Sequence, residues 1–182
     1  RAAITSMAPL DLAGRARQLL ERSLRLADAS HGLVVMLDGD GQPVVEAGIG
    51  AGGEARPVGE SLPATGVLST VLRSGLSQTV ADASRDASWA SVLGEDGARS
   101  AVLMPLAVQG TRFGALLLAR RDLRLFAGDQ TEAARALAEA AAPLLWDARA
   151  MAQSRDSMQS TVKTLAAALE AKDPYTRGHS QR

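Results

Sequence analysis

Apolar residues open the chain at helical spacing. Leu12, Ala16, Leu19, Leu20, Leu24 and Ala27 form one stripe across residues 9–29, with Arg and Glu between them, and this predicts a helix. Ser30-His31-Gly32 breaks the stripe. Residues 33–37 are a short apolar, β-branched run of strand type. Asp38-Gly39-Asp40-Gly41 is a tight-turn signal, because Gly supplies positive φ. Residues 43–49 then read as the returning strand and 50–59 as a loop. Residues 61–74 read as a helix with Pro63 in its first turn, 77–82 as a third strand, and 83–99 as a long loop with one helical turn. Residues 101–108 and 112–120 are strands joined at Gln109-Gly110-Thr111. Pro105 inside the first of them implies a bulge or an edge position.

From 129 to 172 nearly every residue favours helix. Asp129 and Glu132 have the spacing of a capping box. Apolar or small residues follow at Leu137, Ala141, Leu144, Ala148, Met151, Met158, Val162, Leu165 and Leu169. The steps alternate between four and three once Arg155 takes the missing slot, which is a coiled-coil seam of about four heptads. Arg155 costs that seam stability, and either leaves the joint soft or sets its register. The run is roughly 65 Å long at 1.5 Å per residue, too long for a domain of this size to cover. A parallel homodimer through residues 137–169 is therefore expected. Pro143 predicts a kink or a helix junction, and Asp173-Pro174 ends the helix. The order helix, hairpin, helix, strand, loop, hairpin, long helix predicts an α+β fold, an antiparallel sheet flanked by helices gathered on one side, with a long C-terminal coiled-coil helix.

Composition narrows the function. The 182 residues carry 20 basic and 20 acidic side chains and only 3% aromatics, which argues against a nucleic-acid partner. The 46% hydrophobic share is that of a folded protein. With no Cys, disulfides, zinc–thiolate sites, thiol nucleophiles and thioether-linked chromophores are excluded. No apolar run approaches the length of a membrane span, and residues 1–8 lack a signal-peptide core. A chain that starts at Arg1 reads as an internal piece of a longer cytoplasmic protein. Asp38/Asp40 and Asp82/Asp86 fit turn chemistry better than a calcium loop. The Gly-rich stretch at 48–53 lacks the Lys and Ser/Thr of a phosphate loop. No nucleophile elbow occurs, and two distant His give no triad. His31 reads as an exposed capping residue at a helix end.

The stretch from Ser100 to Ala150 resembles the C-terminal half of a GAF domain. The matching features are Pro105-Leu106, the turn at Gly110, Gly114, Leu116 and Leu118, then Phe126, Asp129 and Asp147-Ala148. The upstream helix and hairpin fit the same fold, so the resemblance covers residues 9–150. It implies a sensor for an unknown small molecule, with the pocket under residues 83–99. Trp89 and Arg99 are the ligand-contact candidates there, and packing over the sheet is the plainer role for Trp89. GAF methionine sulfoxide reductases and bilin-binding GAF domains use Cys, which is absent. The motif of cyclic-nucleotide-binding GAF domains uses Asn, and the chain has none.

The run Leu169-Glu170-Ala171-Lys172-Asp173-Pro174-Tyr175-Thr176, followed by Gly178-His179-Ser180 and Arg182, resembles the opening of an HD-GYP phosphodiesterase domain. That implies three segments: a GAF sensor at 9–150, a coiled-coil signalling helix at 151–173, and the start of the HD-GYP domain at 174–182. It also implies that His179 is one ligand of an iron or manganese centre whose other ligands lie downstream. On this reading the segment itself is not an enzyme, and the full-length protein hydrolyses cyclic di-GMP. The alternatives are a non-catalytic GAF dimerisation scaffold, or the sensor of a different HD-type phosphohydrolase.

Overall fold

The structure is a computed structural model that describes residues 11–94 and 97–172, without the side chains of 169–172. The chain divides into two compact units between Ala148 and Arg149.

In the first unit, five strands form one antiparallel sheet: β1 (His31–Leu37), β2 (Pro43–Ile49), β3 (Gln78–Val80), β4 (Ser100–Val108) and β5 (Thr111–Arg120). Their order across the sheet is β2-β1-β5-β4-β3. The central strands are apolar on both faces because both are covered. Val34, Met36, Val102, Met104, Leu106, Leu116 and Leu118 point to one core. Leu33, Val35, Ala101, Leu103, Ala115, Leu117 and Ala119 alternate to the other. Pairing shifts between Leu106 and Ala107, so Phe113 is an extra residue on β5. That bulge turns Phe113 into the first core, where its ring meets Trp146 edge-on at 5.2 Å. Pro105 is accommodated because β3 pairs only with Ala101–Leu103, so this part of β4 lies beyond its neighbour. Gln109 (φ 50°) and Gly110 (φ 82°) close the β4–β5 hairpin with two left-handed residues, the turn that suits strand twist. Gly114 lies against the Val35 carbonyl, where a Cβ would collide.

Helix α1 (Leu12–Leu26) and the first part of α4 (Gly128–Lys172) cover the first core. Asp11 caps α1 by accepting the Gly14 N–H at 2.8 Å. Helix α2 (Gly66–Ser74), two 3-10 turns (Ala83–Arg85 and Ala87–Trp89) and the short α3 (Ala90–Leu93) cover the second.

Five expectations about the fold need correction. Helices cover both faces of the sheet rather than one, because the central strands are apolar on both sides and each side needs a cover. Pro63 lies before α2 rather than in its first turn: Thr65 is the N-cap, and Gly66 starts the helix with φ 58° against the Ser88 carbonyl. Residues 83–99 hold two 3-10 turns and α3 rather than one turn. The α4 start is not capped by Asp129 with Glu132. Ala127 accepts the first helical hydrogen bond, from the Thr131 N–H, and its own N–H donates to Gln130 Oε1 at 3.2 Å. Asp129 bonds the Gln130 N–H, while Glu132 pairs with Arg135. No junction occurs at Pro143, because α4 continues through it. The described residues of the second unit are the part of α4 from Arg149 to Lys172.

Candidate functional site

Three places on the molecule offer chemistry or recognition. The first is the sheet face under α2 and α3. Trp89 sits there only 3% exposed, packed in the second core with Val67, Val71, Val92 and Leu93. Arg99, just before β4, is partly exposed and donates from Nε and Nη2 to the Asp82 carboxylate at 3.1 and 3.2 Å. Asp82 also accepts from the Ser84 N–H and Oγ. The Arg99 hydrogen bonds, then those of Ser84, hold the Asp82 carboxyl down at about 2. The two ligand candidates thus have separate local roles, Trp89 in the core and Arg99 in a latch that ties residue 82 to the start of β4.

His31 belongs to this same face, and the expectation of an exposed cap was wrong. It is the first residue of β1 and only 2% exposed. Its Nδ1 lies 2.8 Å from Ser30 Oγ. The break at Ser30-His31-Gly32 ends the helix at Leu26, which leaves His31 free to enter the strand. Beside it, Arg56 crosses from the loop after β2 and bonds Glu60 at 3.0 Å. His31, Arg56, Ile49, Val92, Leu93 and Leu117 line a crevice of about 160 Å³ of empty space, too narrow for a water molecule. Arg56 carried no sequence signal, because one Arg among loop glycines has no periodicity to place it.

The second place is an open cleft of about 320 Å³ lined by Asp28, Ser30, Arg120, Arg121, Asp122 and Arg124. Arg120 closes its floor and is 3% exposed. Its guanidinium donates to the Ala27 and Asp28 carbonyls at the end of α1, to the Arg124 and Leu125 carbonyls, and to Gln130 Oε1 in the first turn of α4. It also stacks over the Phe126 ring at 4.1 Å. A single side chain therefore ties together the end of α1, the end of β5 and the start of α4. The sequence shows only two consecutive arginines there, with nothing to mark one as buried.

The third place is the outer face of α4. Ala134, Ala138, Ala142 and Leu145 are buried against the sheet. The seam residues Leu137, Ala141 and Ala148 lie three positions after Ala134, Ala138 and Leu145, about 60° around the helix at 100° per residue, and Leu144 lies one position before Leu145, about 100° around. In the first unit Leu137 and Ala141 pack at the core's margin, while Leu144 is 54% exposed. In the second unit Met151, Met158, Val162 and Leu165 are 58–72% exposed.

The expected metal ligand His179, and the whole 174–182 segment, lie outside the described residues. Among the described residues, no group of three or more His, Asp or Glu is placed to hold a metal, and no helix is long and apolar enough to cross a membrane.

A family model described as GAF domain matches residues 9–145. Solved structures share the fold. The GAF domain of an Acinetobacter phosphoenolpyruvate-protein phosphotransferase is 17% identical with a TM-score of 0.68, covering 79% of this chain and 87% of that one. The GAF-B domain of DevS from Mycobacterium smegmatis is 21% identical with a TM-score of 0.57, covering 81% and 99%. A type II free methionine-R-sulfoxide reductase from Thermoplasma acidophilum is 18% identical with a TM-score of 0.60, covering 75% and 96%. Comparison with curated proteins returned no match.

Proposed function

Because this chain belongs to the GAF domain family, as the match over residues 9–145 shows, we propose that it is the regulatory segment of a longer signalling protein. In this reading residues 9–150 sense, α4 pairs in parallel with a second copy through 137–169, and the pairing carries the sensor's state to the segment that follows. The observation that carries it is the second apolar face of α4. A helix that only packed on its own sheet would need the Ala134–Leu145 stripe alone. Leu144, Met151, Met158, Val162 and Leu165 instead expose a further stripe at coiled-coil spacing. Two paired helices have few discrete packings, so a shift at one end is passed along as a change of packing.

The segment that follows is proposed to be an HD-GYP-type phosphodiesterase acting on cyclic di-GMP. This rests on the motif at 169–182, in which His179 would hold one position of an iron or manganese centre. The metal would supply Lewis acidity for the phosphodiester cleavage. A small molecule sensed by the first unit would enter under α2 and α3, beside Trp89, and would compete with Asp82 for Arg99.

A second reading, the non-catalytic scaffold, is favoured by one observation. The face under α2 and α3 is filled by packed side chains, and the crevice beside His31 and Arg56 admits no water.

The test compares cyclic di-GMP hydrolysis, with manganese or iron supplied, by the longer protein and by a version lacking residues 9–150. Different rates support the sensor. Equal rates support the scaffold. Hydrolysis by neither contradicts the assignment of the following segment.

A further inference from the structure

The seam of the second unit is apolar except at one position. Arg155 stands four residues after Met151 and three before Met158, and it is exposed. No hydrogen bond or ion pair engages it among the described residues. The residues that flank the seam at this level are Ser154 and Gln159, both uncharged. Asp156, the adjacent acid, faces about 100° away around the helix. Parallel pairing in register brings like seam positions face to face. It therefore sets two guanidiniums opposite each other with no carboxylate positioned to neutralise them.

We propose that this layer is an anion site completed only by the second copy, in which a small multivalent oxyanion of the phosphate class bridges the two Arg155 side chains and tightens the pair. The inference rests on the parallel pairing proposed above. The chemistry is direct. Each guanidinium offers a planar fork of N–H donors that matches tetrahedral oxyanions, and the anion's charge removes the repulsion between the two. A monovalent chloride screens but cannot bridge. The seam then pairs more tightly when such an anion is present, so the helix that links the two segments responds to it.

The test measures the dimer dissociation constant of the 182-residue chain by sedimentation equilibrium, in sodium phosphate and in sodium chloride at matched ionic strength and pH. Phosphate also strengthens apolar burial in general, so Arg155→Leu and Arg155→Gln serve as controls that keep that effect. The wild type is expected to pair about tenfold more tightly in phosphate than in chloride, beyond any gain in the variants. Arg155→Leu is expected to pair more tightly than the wild type in chloride. An equal phosphate gain in all three proteins overturns the site and leaves the pairing intact. A Leu variant that pairs more weakly than the wild type in chloride also overturns it. A monomer under every condition overturns the pairing, and the site with it.

Discussion

Asp82 and Arg99 fix the loop that covers the second core to the first residues of β4, and their ion pair gives that attachment a pH dependence. The Asp82 carboxyl is held down at about 2, first by Arg99 and then by Ser84. An unfolded Asp titrates near 3.9. A depressed acid stabilises the fold above its unfolded value and loses that contribution as pH falls through its folded value. Asp82→Asn is therefore expected to be less stable than the wild type at neutral pH. The gap should close between about pH 4 and pH 2, as read from urea unfolding at a series of pH values. A gap that stays constant through that range would show that the ion pair is not its cause. Arg120 makes a stronger claim on stability, because its burial leaves five acceptors dependent on one side chain. Arg120→Leu should cost at least about 3 kcal/mol, measured as the shift in unfolding free energy; a loss within error would contradict its role as the tie between α1 and α4. At this scale the sequence was a poor guide. Trp89 could be placed in the right loop, but Arg56, Arg120 and His31 acquire their positions from residues far away in the chain. Nothing local separates a buried Arg or His from an exposed one.

Among the elements, the strands and hairpins were legible because each is written in neighbouring residues. The turn at 38–41 and the turn at Gln109-Gly110 stand between apolar runs, and both hairpins form as their spacing requires. Helix α4 was half legible. Its outer seam follows from Leu and Met at heptad spacing. Its inner face, Ala134, Ala138, Ala142 and Leu145, is masked by alanines on every side of that stretch. Ala fits any helix face, so periodicity could not tell which stripe meets the sheet. Trp146 of this helix meets the Phe113 ring of β5 edge-on. Pro143 sits on an exposed position inside this helix, where it removes one backbone hydrogen bond and crowds the carbonyl of Glu139. Pro143→Ala is expected to raise stability, by up to about 3 kcal/mol, with a higher midpoint in thermal unfolding. Unchanged or lower stability would mean that the proline's ring contributes packing that offsets the lost bond.

For the whole molecule, the α+β antiparallel sheet followed from the order of elements, and the family match agrees with it, but the covering of both its faces did not, because the order alone gathered the helices on one side. Neither the filled face under α2 and α3 nor the joint at Arg120 could be read ahead, because both depend on which side chains the sheet brings together. The central claim is that α4 pairs with a second copy in parallel along the Met151–Leu165 face. The chain contains no cysteine, so a single introduced thiol reports on this directly. Met158→Cys places the thiol in the seam, while Ser160→Cys places it about 200° around the helix. A disulfide forms only when the two Cα atoms come within about 7 Å. Mild oxidation is expected to link Met158→Cys into a covalent dimer and to leave Ser160→Cys monomeric on a non-reducing gel. Equal cross-linking of both, or none at position 158, would contradict the claim.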